Sequence, residues 1–524
     1  MRIKSTRLLL VVLMLFAVGT VSAVELEKLL VNSVGGERAM EKIRRTKSYH
    51  VSGSVSLNGM PGRFVEHVVP PDRYYMEMRF EQFNMIQAYD GHIAWQNDLN
   101  GQVSLIEGQE EKELLKNIYL ASYAYLPTEF LPGTVSFLRT LSENGRCFHE
   151  VAFTPLEADT IFLYFDSASG LLDRTVSRMD NLTVTNQLSG YRNNDGILYP
   201  FHSMASVAEV GLSVEVTVEQ LEFDREIEPT LFALPAGSNT DFHFPVGSDK
   251  LDIPVTYRRG HIRLPVTING LKKVWMILDS GSSHSILNRS AIADLELAQV
   301  TTLPAIGVSG YADVALVATD SLNIGDLTLY DQVAGSLPLE GGVWQGEQGL
   351  DFGGILGYDF LSRFPILIDY QNSILTVFNP DGFEAPPGGR AMDFFLTMQV
   401  PTVEAEIIGI KGDFIVDLGN AFGLVVHHRF ARDNSLAEQL SDVRDNPTSI
   451  GGIGGAVGGR SAYAATFKMG DILLQSIRVL LPDSAAGLAG SERLAGNVGN
   501  LVLENFRVLF DYSRRRLILY DMSR

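Results

Sequence analysis

Two aspartates stand in matching surroundings. Asp279 follows Met276-Ile277-Leu278 and precedes Ser280-Gly281-Ser282; Asp417 follows Phe414-Ile415-Val416 and precedes Leu418-Gly419-Asn420. Three apolar residues before each acid read as a strand buried on both faces, and a glycine two positions on lets the chain turn sharply enough to present the carboxylate. Two carboxylates held about 3 Å apart cannot both ionise, so one stays a base while the other stays an acid. Such a pair can activate a water and polarise a carbonyl in one step, and it titrates as a unit. This chemistry asks for no cofactor and no metal. The ten histidines include His427-His428 but no HExxH pattern, which leaves a zinc hydrolase with little support.

What ties the two acids together is an internal repeat of the chain beyond residue 260. Each copy has an apolar strand, an Asp loop, a Gly-rich hairpin, an apolar-apolar-glycine element and a late apolar strand ending in Asp. Asp279, Gly357 and Asp369 mark the first copy, and Asp417, Gly499 and Asp511 the second; the separations in the second copy are longer by the same four residues each time. An ordered set of landmarks with a shared offset is not a chance match of tripeptides. Two similar β lobes are expected, at 254–380 and 381–524, each delivering one carboxylate from a rigid strand.

The second half resembles the retropepsin-like aspartic proteases, with two repeats fused in one chain as in pepsin-like enzymes. Ile277 to Ser282 carries the resemblance most closely, and Gly354-Ile355-Leu356-Gly357 and Asn497-Val498-Gly499 fit the element beneath each catalytic loop. The resemblance implies a bilobal all-β fold, Asp279 and Asp417 as the catalytic pair, and a peptide or protein substrate. It implies that Ser280 bonds across to the opposite loop, that Ser282 bonds its own Asp carboxylate, and that Gly281 and Gly419 turn amides toward the carboxylates. Gly307 and Gly310, with Gly452 and Gly454, stand where the family has flaps, and Tyr311 is a candidate lid, or else a surface aromatic beside a turn. The second loop departs from the pattern: Leu418 replaces a Thr or Ser, so one hydroxyl of a reciprocal hydrogen-bond set is missing, at about 1 kcal/mol or more if a buried amide is left unpaired. Asn420 stands where a further carboxylate partner belongs, although asparagine is also an ordinary turn residue. Leu418 leaves open a weak or inactive peptide-binding module, and a carrier dominated by the first domain is a third reading.

Before the repeat, residues 24–236 open on a helical stretch and turn to alternating apolar segments broken by Asn-Gly, Pro-Pro and Asp-Gly signals, which read as a curved antiparallel sheet. His50 to Leu57, Tyr74 to Phe80, Ile161 to Asp166 and Leu212 to Phe223 are expected strands, with Val214, Val216 and Val218 on one face. Pro70 to Met78, Ala88 to Trp95 and Asp195 to Phe201 resemble the lipoprotein-sorting-factor-like half-barrels, whose concave face holds acyl chains or another apolar ligand. Trp95, Met76, Met78 and Met85 either line that face or are plain core. Residues 237–253, small, polar and with prolines, read as a linker.

At the N-terminus, Arg2, Lys4 and Arg7 precede an apolar run from Leu8 to Val18 and the small residues Val21-Ser22-Ala23, so residues 1–23 read as an export signal toward the bacterial periplasm. The run is about half the roughly 20 residues a span requires, and no stable membrane span is expected. Losing the signal's three basic residues takes the net charge from −20 to −23. A surface so acidic argues against nucleic acid as a partner. The 524 residues suit two or three domains, and 45% hydrophobic with 20% charged residues is globular composition, not disorder. One cysteine, Cys147, excludes an intramolecular disulfide and reads as a small buried side chain.

Overall fold

The computed structural model describes residues 23–128, 132–235, 241–307, 310–340, 345–346, 349–483 and 486–522. The export segment lies outside the described residues except for Ala23. Among the described residues no helix is long and apolar enough to cross a membrane. The fold is mainly β.

The alternating segments of the first half pair as one antiparallel sheet of 13 strands, in which Tyr49–Leu57 lies between Met60–Val69 and Leu212–Phe223. The strands Ile161–Asp166 and Leu212–Phe223 have the bounds their alternation predicts. One face of the sheet has two coverings. At one end the helices Glu37–Arg45 and Gly108–Ala121 pack Met40, Ile43, Leu114 and Ile118 onto Tyr49, Val68 and Phe153. At the other end Val55, Leu57, Phe80 and Phe83, with Val214 and Val216 beside them, pack against Leu316 and Val333 of the second half. Between the two lies a cavity of about 250 Å3, lined by Tyr49, Phe64, Glu66, Tyr123, Tyr191 and Tyr199 among others.

Trp95, Met76, Met78 and Met85 do not line this cavity. Trp95 sits opposite Ala88, which sits opposite Tyr75, and that row is covered by Phe232, whose carbonyl accepts from the Trp95 indole N–H at 2.9 Å. Met76 belongs to the helix-covered core, and Met78 and Met85 pack in the contact with the second half. Cys147 is exposed, not buried, because it lies next to the hairpin end where Glu143 pairs with Arg146.

The second half contains two alike β lobes and a six-stranded sheet that both supply. The central strands of that sheet, Ile366–Asp369 and Phe506–Asp511, place Leu367 opposite Leu509, which hold the same position in the two repeats. Part of the stretch read as linker is not one: Phe242–His243 pairs with the strand Leu327–Leu337, and Lys250–Pro254 pairs with Ile374–Phe378 in the shared sheet. Burial of Ile253 in the core of the second half accounts for the ordering. Hydrogen bonds also tie the halves: Asn100 bonds both backbone groups of Val333, and Arg493 reaches Glu113 and Asp159, each at 3.2 Å.

Candidate active site

Each lobe brings its aspartate out on the same construction. Lys272–Leu278 runs parallel to Phe352–Leu356, with Leu278 opposite Leu356; Ile410–Val416 runs parallel to Leu494–Val498, with Val416 opposite Val498. All six residues before the two acids are buried, as strands covered on both faces require. The Asp279 N–H then donates to the Leu356 carbonyl and the Asp417 N–H to the Val498 carbonyl, both at 2.9 Å, so both acids leave their strands at the same level.

The two loops meet, and the carboxyl groups of Asp279 and Asp417 hydrogen-bond each other. Asp279 Oδ1 accepts the Gly281 N–H at 2.8 Å; Asp417 Oδ1 accepts the N–H groups of Gly419 and Asn420 at 2.9 and 3.0 Å. Each glycine also lies against the opposite acid. A Cβ on Gly419 would fall 2.4 Å from Asp279 Cγ, and one on Gly281 would fall 2.7 Å from Asp417 Cγ, so no side chain fits at either place. Burial pushes both acids above the ordinary range, and for Asp279 the neighbouring Asp417 charge pushes further. The Asn497 side chain at Asp417 and backbone amides at both acids oppose this rise.

Ser280 bridges the loops: its hydroxyl donates to the Val416 carbonyl at 2.7 Å and accepts the Leu418 N–H at 3.0 Å. Leu418 therefore leaves its own amide satisfied, and its side chain is fully buried in the main core. The Leu418 carbonyl is held by Asn500 Nδ2 at 2.6 Å, and Asn500 Oδ1 accepts the Tyr370 hydroxyl at 2.7 Å. Two expectations need correction. Ser282 does not bond its Asp carboxylate; its hydroxyl donates to the His284 carbonyl at 2.7 Å, closing the turn on itself. The Asn420 side chain does not reach Asp417 either, since its Oδ1 caps the Phe422 N–H at 2.9 Å and only its backbone serves the acid.

The side-chain partner that Asp417 does have was not singled out as one. Asn497 Nδ2 lies 2.7 Å from Asp417 Oδ2, and Asn497 Oδ1 lies 2.8 Å from Nε2 of His427, which is wholly buried. His427 Nδ1 lies 3.1 Å from the Leu494 carbonyl. Burial pulls the His427 imidazole below its ordinary value. The available signal was an asparagine, Asn497, at the repeat position where the first lobe has Ile355.

The hairpins Gln299–Ile306 with Tyr311–Ile324, and Ser441–Gly452 with Gly455–Met469, bring their turns together. A Cβ on Gly307 would fall 1.7 Å from the Ile453 carbonyl oxygen, and one on Gly454 would fall 2.6 Å from the Gly310 carbonyl carbon. Gly452 is the last residue before that second turn. Ile453 packs on the first-lobe cluster of Ile277, Ile286 and Ile355. Tyr311 is not a lid over the acids: its hydroxyl bonds Asn181 of the first half, and burial, with Glu209 and Asp180 nearby, raises it above the ordinary tyrosine value.

Residues 264–360 match the family model described as aspartyl protease. No curated protein matches the chain. Among solved structures, an aspartic proteinase from Irpex lacteus is 14% identical, over 52% of this chain and 98% of its own, with a TM-score of 0.35. A LolA superfamily protein from Nitrosomonas europaea is 10% identical over 39% of this chain and 96% of its own, TM-score 0.27. A putative outer membrane lipoprotein-sorting protein domain from Vibrio parahaemolyticus is 11% identical over 39% and 96%, TM-score 0.28.

Proposed function

We propose that the chain is an exported aspartic endopeptidase in which Asp279 and Asp417 share one proton and hydrolyse peptide bonds through an activated water. The observation that carries this reading is the reciprocal packing of the two loops: the carboxyl groups bond each other while Gly281 and Gly419 each lie against the opposite acid. One carboxylate takes a proton from the water as it attacks the carbonyl carbon, and the other acid gives its proton to the carbonyl oxygen. The pair then gives a proton to the departing amine while a hydroxyl of the tetrahedral diol returns one to it, so that the carbonyl re-forms, the C–N bond breaks and the pair is back in its starting state. The bonds to both backbone groups of Leu418 support turnover over an inactive cleft, because that loop is held without the missing hydroxyl. The meeting turns around Gly307 and Gly454 are proposed to part for the substrate and close over it. The test is cleavage of an unfolded polypeptide by the exported chain. Asp279→Ala should abolish it, and undiminished cleavage by that variant would remove the assignment.

The cavity in the first half supports a second element of the reading, an apolar ligand such as an acyl chain held between the helices and the sheet of that half. Native mass spectrometry of protein isolated from the periplasm should detect a bound amphiphile. Protein that stays ligand-free after incubation with fatty acid would count against it.

A further inference from the structure

The pseudo-symmetry of the lobes isolates one polar path in the second lobe that the corresponding described residues of the first lobe do not form. Ile355 lies beside Ile277 on the parallel strand as Asn497 lies beside Ile415, so Ile355 and Asn497 correspond. Ile286 lies opposite Ile355 as Val425 lies opposite Asn497, so Asn288 and His427 correspond, two residues further on. Their outer hydrogen bonds match: Asn288 Nδ2 donates to the Phe352 carbonyl at 2.8 Å, and His427 Nδ1 faces the Leu494 carbonyl at 3.1 Å. Their inner neighbours do not match. Asn288 Oδ1 accepts the Leu339 N–H at 3.0 Å, whereas His427 meets Asn497, and Asn497 meets Asp417.

Hydrogen-bond chemistry restricts this chain to two arrangements. A carbonyl only accepts, so His427 Nδ1 carries hydrogen. If the Asn497 amide nitrogen donates to an ionised Asp417, its oxygen faces His427 Nε2, which must then also carry hydrogen, making the ring cationic. If the ring is neutral, Nε2 needs a donor; the amide turns over, its nitrogen serves His427, and its oxygen faces Asp417 Oδ2, which must then carry the proton. Both arrangements hold the same number of protons. Turning one amide exchanges an imidazolium with a carboxylate for a neutral ring with a carboxylic acid.

We propose that Asn497 and His427 are positioning residues for Asp417, forming a buried relay whose amide orientation fixes whether the proton sits on Asp417 or on His427. The structure shows the first arrangement, with Asn497 Nδ2 toward Asp417 and Oδ1 toward His427, whereas full burial of the ring favours its neutral form, so the two tendencies oppose each other at His427. The inference deepens the protease reading and rests on it for its role in catalysis, but the coupling itself does not. Other groups face this path. Asp279 bonds Asp417, and the Tyr512 hydroxyl is raised by burial and by Asp279, among other neighbours. His261 reaches the Gly419 carbonyl, and Asp180 of the first half acts on His427.

The test is nitrogen-15 NMR of histidine-labelled full-length protein, with the His427 signal identified by its loss in His427→Gln. In Asp417→Asn the side-chain oxygen keeps the Gly419 and Asn420 amides, and its new NH2 donates to the Asn497 oxygen as the protonated acid would. His427 is then locked neutral, and its midpoint of protonation moves down. In Asp279→Asn the new amide keeps Asp417 ionised, Asn497 must donate to it, and the His427 midpoint moves up. Shifts of opposite sign, each about tenfold or more in protonation equilibrium, are expected. Equal midpoints, or shifts of one sign, overturn the relay. Asn497→Leu, which copies the first lobe, provides the check if either Asp variant is unfolded: the His427 midpoint should stop responding to a transition-state mimic bound at the acids. A continued response would overturn the relay too. Opposite shifts in a protein that cleaves nothing would sink the protease reading and keep the relay.

Discussion

Behind the first aspartate stand Ile355 and Asn288, and at the same places behind the second stand Asn497 and His427. Across the top of the site the contrast runs the other way. Ser280 in the first loop spans to Val416 and Leu418, while Leu418 in the second loop turns into the core. The backbones of the two lobes match, down to equal 2.9 Å bonds that anchor each Asp amide. Strand pairing therefore sets where the carboxyl groups stand, and unlike side chains around them decide how each is held. Two lobes of like topology allow this division, because they need agree only in geometry. Hydroxyl bracing comes from the first lobe and carboxamide bracing from the second.

Changes at the shared geometry should have the largest effect. Gly419→Val or Gly281→Val would drive a side chain into the opposite acid, and cleavage should fall at least about 100-fold with secondary structure intact by circular dichroism. Restoring symmetry at Leu418 should harm the protein. Leu418→Ser removes a fully buried side chain, so denaturant unfolding should show a loss of about 2 to 5 kcal/mol, beyond the roughly 1 kcal/mol a new hydrogen bond returns. Ser280→Ala removes both bonds between the loops and should cost about 1 to 3 kcal/mol in the same measurement.

The pH dependence follows from the raised acids. A carboxyl whose folded-state value lies above its unfolded value gives stability that is present in acid and lost as pH rises through the folded-state value. Calorimetry should show the melting temperature of the wild type falling with rising pH relative to Asp279→Asn, whose pair keeps at most one charge. The smallest effect is expected at Tyr311, which faces the first half rather than the acids. Tyr311→Phe should lower stability by no more than about 1 kcal/mol and leave the pH profile of cleavage unchanged.

The acid pair was legible in the sequence because three independent needs leave marks there: apolar runs for buried strands, glycines where two loops touch, and landmarks repeated in order. The Asn497–His427 path was not, because it depends on strand register. A lone asparagine between Gly496 and Val498 gains meaning only when the parallel pairing puts it beside Ile415 and under Asp417. In the sequence the His427-His428 pair fits no metal motif and carries no other mark. Ser282 and Tyr311 were misplaced for a related reason, since local pattern places a residue in its turn but does not say which neighbour it will meet. For Trp95, likewise, alternation gave the strand, while the covering residue Phe232 comes from 137 positions away.

The central claim is that the two lobes supply one catalytic unit, not one active and one supporting acid. Its most direct test is kcat/KM for an unfolded polypeptide with Asp279→Asn, Asp417→Asn and the double variant. The account predicts that each single variant falls to the same floor and that the double variant falls no further. Turnover surviving in either single variant, or a double variant well below both, would contradict it.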